Sequence, residues 1–252
     1  MTRNVALAYH AITDDWTHAL ATSRARFRRQ LARLASRGFR GVTLNELATG
    51  QCSGRTVAIT FDDGFASVVQ AKPMLDELGW PATVFVVTDA IDSGRPMPWL
   101  GGPMGVNEDA RLPLTWEALS DLAAAGWEIG SHGRTHRLLS ELSDAERAAE
   151  LAESRDAVAL RIGSCRGISY PWGEVDDRVV AAARHAGYAY GSGLAGRFAR
   201  DDAMRVPRVA IDGRDGTVRF GLKTSRTFFV VRTSVAWTWL DVVRRPGRPL
   251  GV

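Results

Sequence analysis

Cysteine is nearly absent from this sequence. Cys52 and Cys165 are the only two, they lie in unrelated contexts, and no CxxC spacing occurs. Two buried or idle thiols in a reducing compartment is the reading this supports, with a single disulfide as the alternative. Lysine is equally scarce. Lys72 and Lys223 stand among 32 basic residues and the remainder are arginine, which points to coding bias as much as to function. No apolar run reaches the roughly 18 residues of a membrane-spanning helix, which argues against a span. The opening stretch, MTRNVALAYHAI, lacks the long apolar region and small-residue cleavage site of a signal peptide. It reads as a first strand, and the protein is expected in the cytoplasm. Internal repeats and low-complexity blocks are missing too.

The net charge of +4 is unevenly spread. Residues 216–252 hold seven basic side chains and one acid, Asp241, which leaves 25 basic and 27 acidic residues before them. A basic excess can signal nucleic-acid binding, but here it is confined to the tail, so no nucleic-acid partner is expected. The tail, RTFFVVRTSVAWTWLDVVRRPGRPLGV, mixes aromatics with arginine. Part of it reads as a last helix or brace. Basic amphipathic segments also rest on anionic membranes, so a weak membrane-surface contact is the second reading. The sequence leaves the oligomeric state open.

With 252 residues, 45% of them hydrophobic, the chain can fill one large core. Strand-like runs alternate with helix-like segments. NVALAY (4–9), TVAITF (56–61), ATVFVV (82–87), WEIG (127–130), RGISY (166–170), YAYG (188–191) and MRVPRVAI (204–211) read as strands. Between them, Phe27, Leu31 and Leu34 mark one face of a helix, and TWEALSDLAAAG marks another. Ser143 and Glu146 form a capping box that opens a long helix, which Gly163 closes. Residues 88–114 are rich in Gly and Pro without helical period and read as a lid or substrate rim. The alternation predicts a single-domain α/β fold, an irregular (β/α) barrel of seven or eight mostly parallel strands over residues 1–222, with 223–252 as the tail.

Chemistry in such barrels collects at the C-terminal ends of the strands. His10, Asp62, Asp63, His132, His136 and Trp172 all fall just past strand ends. Asp62 and Asp63 are adjacent like charges against a buried run, an arrangement that needs compensation. His132 and His136 are four apart, and on a helical turn that spacing puts both imidazoles on one side. Two histidines and one aspartate match the usual ligand count of a catalytic zinc. A divalent cation, zinc first, held by Asp63, His132 and His136 would neutralise Asp63 and leave Asp62 free as a base. Each piece alone has a plainer reading. A lone HxxxH is weak, paired acids can cap a helix, and Trp172 and His10 can be packing. His185 reads as a helix-surface residue, and His18 has no evident role.

TFDDG (60–64), SHGRTH (131–136) and SYPWG (169–173) together resemble the three motifs of the polysaccharide deacetylases, the NodB-homology family or carbohydrate esterase family four. The resemblance runs in motif order over roughly residues 5 to 220. It implies an irregular (β/α) barrel, a metal held by Asp63, His132 and His136, Asp62 as general base, and the Trp172 backbone N–H as oxyanion donor. The substrate implied is an N-acetylated sugar or glycan, cleaved to acetate and a free amine. Ser169 stands where many members carry an arginine that holds the base. Arg166 is three residues away and would face the other side of a strand; Arg208 in RVPRVAI is one candidate substitute, and the sequence leaves open what replaces that arginine. The late histidine that serves the family as general acid has no counterpart. The subgroup acting on exopolysaccharide amino sugars is more similar, and its early YH places His10 in the acid role. A cyclic-amide hydrolase of the same superfamily and a non-catalytic glycan-binding module are the rival readings.

Overall fold

The structure is a computed structural model, and it describes residues 4–100, 108–194 and 202–225. The expected tail lies outside the described residues from 226 onward. The chain opens with β1 (Asn4–Tyr9), the short pair β2 (Ala11–Ile12) and β3 (Ala21–Thr22), helix α1 (Arg24–Ser36), β4 (Arg40–Val42) and α2 (Leu44–Ala48). Then come β5 (Thr56–Phe61), α3 (Lys72–Asp76), β6 (Thr83–Val86), α4 (Thr88–Ser93), α5 (Trp116–Ala124) and β7 (Glu128–Ser131). The last elements are α6 (Asp144–Ile162), β8 (Gly167–Ser169), α7 (Asp177–His185), β9 (Tyr190–Leu194), β10 (Val206–Ala210) and α8 (Thr217–Lys223).

Seven strands close into a parallel ring in the order β1-β10-β9-β8-β7-β6-β5, with β5 returning to β1 from Asn4↔Thr56 to Tyr9↔Phe61. β4 is an eighth strand on the far edge of β5. It pairs with Thr56–Ala58, and β6 takes over at Thr60 and Phe61. This shared edge makes the barrel irregular. β4 and α2 escape the sequence reading because three and five residues are too few to show a period.

Strand parity decides what points inward. On β5, Val57, Ile59 and Phe61 belong to the outer core against the helices, whereas Ala58 belongs to the inner one. Thr60 and then Asp62 continue the inner row. The interior is built from small residues, Ala6, Ala58, Gly130 and Gly167 among them, which leave room for Phe85, Tyr190 and Arg208. The Tyr190 hydroxyl donates to Glu128 Oε1 at 2.7 Å.

The helices form where expected. α1 buries Phe27, Leu31 and Leu34. α6 starts at the Ser143–Glu146 capping box and stops at Gly163, whose φ of 96° is open to glycine at no steric cost. The stretch after β5 is a 3-10 turn (Ala66–Ala71) before α3. One expectation needs correction: residues 88–114 are not one loop, because α4 opens them and a left-handed Gly94 ends it. Residues 101–107 lie outside the described part. Both cysteines are free, Cys165 buried and Cys52 partly so.

A Cβ at Gly167 would sit 2.0 Å from the Tyr190 ring. Gly167→Ala is therefore expected to destabilise the barrel by about 1–3 kcal/mol, the usual cost of overpacking. The melting temperature should drop by about 2–4 °C for each kcal/mol. An unchanged urea midpoint would contradict this packing.

Candidate active site

Every sequence-selected residue sits at the C-terminal mouth of the ring. His10 follows β1, Asp62 and Asp63 follow β5, His132 follows β7, and Trp172 lies just beyond β8. The Asp62 N–H donates to the Tyr9 carbonyl at 2.9 Å, which carries the β1–β5 pairing one step further and sets Asp62 level with His10. Asp62, Asp63, His132 and His136 are all buried. The remaining two histidines lie elsewhere. His18 stacks on Trp16 at 4.6 Å, and His185 is exposed on α7.

Arg208 meets the charge of Asp62. It projects from β10 into the barrel, 1% exposed. Its two terminal nitrogens donate to Asp62 Oδ1 at 2.7 Å and Oδ2 at 2.8 Å. The same nitrogens donate to Thr60 Oγ1 at 2.8 Å and Ser169 Oγ at 2.6 Å. A bidentate pair of this kind is among the stronger charge-assisted contacts. Burial pushes the Asp62 carboxyl up, but the Arg208 guanidinium more than offsets this and holds it well below the usual carboxylate range. The place that Ser169 leaves open is thus filled from another strand.

Asp63 has no such partner among the described residues. Its Oδ1 is buried without a hydrogen bond. His132 Nε2 lies 3.5 Å and His136 Nε2 3.3 Å from that oxygen. One ligand atom from each of the three residues falls within 4.8 Å of the others. Burial pushes the His132 imidazole down to about 4, so it is neutral at pH 7 and brings Asp63 no charge. Around a zinc bonded at about 2.1 Å, tetrahedral neighbours lie about 3.4 Å apart. The two separations to Asp63 Oδ1 are of that size. The donor set and the orphaned oxygen therefore fit a divalent cation.

The histidine pair is not carried by a helix, contrary to the expectation from its spacing. Residues 132–136 form a loop that reverses through Gly133 (φ 80°) and His136 (φ 63°). Helix α6 holds this loop: Glu150 Oε1 accepts the Thr135 N–H at 2.6 Å and the Thr135 hydroxyl at 2.9 Å. Ion pairs from Arg134 to Asp89 on α4 and Glu153 on α6 brace its other side. His132 Nδ1 lies 2.7 Å from the Ser169 carbonyl, a contact that puts the proton on Nδ1 and leaves Nε2 facing Asp63.

Among the described residues, the non-glycine positions with positive φ are Asp63 (68°), His136 (63°) and Trp172 (63°). Such conformations typically cost about 1–3 kcal/mol each and gather where function requires them. All three belong to this site. Trp172 is half exposed, its Nε1–H donates to the His136 carbonyl at 3.1 Å, and its backbone N–H has no acceptor among the described residues. His10 is partly buried, with an unpartnered Nδ1.

The comparisons with known proteins bear on the family and the fold. The polysaccharide deacetylase family model matches residues 49–191. YxkH of Bacillus subtilis, a protein named for the polysaccharide deacetylases, is 27% identical over 206 residues, covering 79% of this chain and 67% of its own. The solved structure of the Streptococcus pyogenes deacetylase PplD in complex with acetate superposes with a TM-score of 0.74 at 18% identity, over 89% of this chain and 99% of that one. IcaB from Ammonifex degensii gives 0.72 at 23% identity, over 93% and 98%. At these identities the two structures establish likeness of fold.

Removing the guanidinium would strand a buried carboxylate. Arg208→Met is expected to cost about 3–5 kcal/mol of stability at pH 7. A carboxyl held low stabilises the fold above the ordinary carboxylate value and loses that contribution as the pH falls through its folded value. Without Arg208 the carboxyl rises and takes a proton early, so the deficit should shrink between pH 7 and pH 4. Urea unfolding at both values tests this; an equal deficit at both would contradict the pairing.

Proposed function

The chain belongs to the polysaccharide deacetylase family, and from that premise we propose that it hydrolyses N-acetyl groups of an amino sugar or glycan, giving acetate and a free amine. The single observation that carries this reading is the convergence of Asp63, His132 and His136 beside an ion-paired Asp62. Asp63, His132 and His136 would hold one divalent cation, with zinc the first choice for two imidazoles and a carboxylate. When bound, such a cation acidifies water and polarises an amide carbonyl.

The protein's own groups then divide the work. Asp62 takes a proton from the attacking water. A carboxylate this acidic is a weak base towards ordinary water, and it suits one whose pKa is already lowered. Arg208 keeps Asp62 ionised and fixes its orientation. The water oxygen bonds to the acetamide carbon, and the backbone N–H of Trp172 donates to the carbonyl oxygen as negative charge develops there. Loss of one such donor typically costs about 2.7–4 kcal/mol in the barrier. His10 delivers a proton to the nitrogen as the C–N bond breaks. Among the described residues the backbone N–H of Trp172 and the Nδ1 of His10 have no partner, which supports these two assignments.

Asp62→Asn should retain one equivalent of metal while acetate release from N-acetylated amino-sugar oligomers falls by about 10²–10⁴-fold, the usual worth of a general base. His132→Ala should lose the metal and the activity together. Chelation should silence the wild type, and added zinc should restore it. Undiminished acetate release from Asp62→Asn would remove the base assignment, and full activity after verified metal removal would remove the cation.

A further inference from the structure

The two candidate histidine ligands are oriented by different means. His132 has the Ser169 carbonyl at 2.7 Å from its Nδ1, the outer contact that commonly fixes a metal-binding imidazole. His136 has no counterpart among the described residues, where its Nδ1 is buried without a hydrogen-bond partner. The indole of Trp99 lies nearly flat on the His136 ring instead, with centroids 4.5 Å apart and planes 15° apart. Trp172 meets the same ring at 4.9 Å and 60°. Trp172 also holds the backbone of His136 through its carbonyl.

Trp99 is delivered by a built segment. It sits in a 3-10 turn, Pro98–Leu100, next to a fully buried Met97. The Met97 N–H donates to the Arg111 carbonyl at 3.1 Å, which joins the two described limbs of this excursion. The second limb is fastened to the chain that follows Asp63: the Leu114 N–H donates to the Gly64 carbonyl and the Ala66 N–H to the Leu112 carbonyl, both at 2.8 Å. One excursion thus grips the segment bearing one candidate ligand and stacks on the ring of another.

We propose that Trp99 is a positioning residue for His136, its stacked indole doing for that imidazole what the Ser169 carbonyl does for His132. A flat partner of this area opposes tilt of the ring and keeps Nε2 aimed at Asp63 without a hydrogen bond at Nδ1. The inference rests on the reading of His136 as a cation ligand. It assigns the Gly- and Pro-rich excursion a structural part in the metal centre, apart from any contact with substrate.

Zinc affinity of the full chain, measured by competition with a chromophoric chelator, tests this without reference to turnover. Trp99→Leu should bind zinc about 10–100-fold more weakly, the usual effect of losing an outer support. Trp99→Phe keeps a stacking ring and drops the indole N–H, which is itself buried without a partner, so its affinity should stay within about threefold of wild type on that scale. Acetate release by Trp99→Leu should recover in excess zinc, because the part assigned to the indole is to hold a ligand and not to act on substrate. Wild-type affinity in Trp99→Leu, or equal weakening in Trp99→Phe, would overturn the proposal. His136→Ala is the control: if it binds zinc like the wild type, the ligand reading beneath the proposal is what fails. Thermal unfolding of the metal-free variants checks the fold, and Trp99→Met serves with the same two outcomes should Trp99→Leu not fold.

Discussion

Two carboxylates buried side by side at the mouth of a barrel must each be met by positive charge, and the surrounding structure is arranged around that requirement. Asp62 follows the inward parity of β5 and receives the Arg208 guanidinium on both oxygens. The barrel interior carries alanine, glycine, serine and threonine at neighbouring positions, and this gives an arginine room inside a ring of seven strands. Asp63 turns out of that parity through a left-handed backbone and faces two imidazoles. His132, neutral at pH 7, brings no counter-charge, and a divalent cation would complete the balance. The adjacency of the acids thus separates two settings: one carboxylate is ion-paired by the protein, and the other lies in a donor set that would fit a metal.

Strain is concentrated where this separation is enforced. Asp63, His136 and Trp172 adopt backbone conformations that side chains disfavour, and each is followed or preceded closely by a glycine that shares the turn. What holds them is the frame behind. β5 is paired along its length on one side and shared between β4 and β6 on the other. α6 secures the 132–136 loop through Glu150 and Glu153. The rim borrows its precision from these buried elements, which is why packing inside the ring and geometry at its mouth are linked.

Much of this was legible in the sequence, for identifiable reasons. Apolar runs with periods of two and 3.6 gave the alternation, and the alternation placed the six site residues past strand ends. Ser143 and Glu146 marked the start of α6 and Gly163 its end, both as found. Arg208 enters the sequence reading only as a candidate for the missing motif arginine, because its pairing with Asp62 spans 146 residues and no local pattern states it. The histidine spacing was right in its outcome and wrong in its cause, because a loop with two left-handed residues, not a helical turn, brings the rings together. The Ser169 carbonyl on His132 could not be foreseen, since every residue has a carbonyl. Glu150 looked like one more acid on a helix. Trp99 carried a faint signal, a large aromatic in a segment otherwise made of Gly and Pro, but only coordinates show which ring it covers.

The central claim is that one cation sits among Asp63, His132 and His136 while Asp62 stays with Arg208. An anomalous-scattering map from crystals grown with zinc tests it most directly. The account predicts a single strong peak within bonding distance of a carboxylate oxygen of Asp63 and of Nε2 of both histidines, with the Asp62–Arg208 pair intact beside it. A map with no peak there, or with the metal bonded to Asp62 and the arginine displaced, would contradict it.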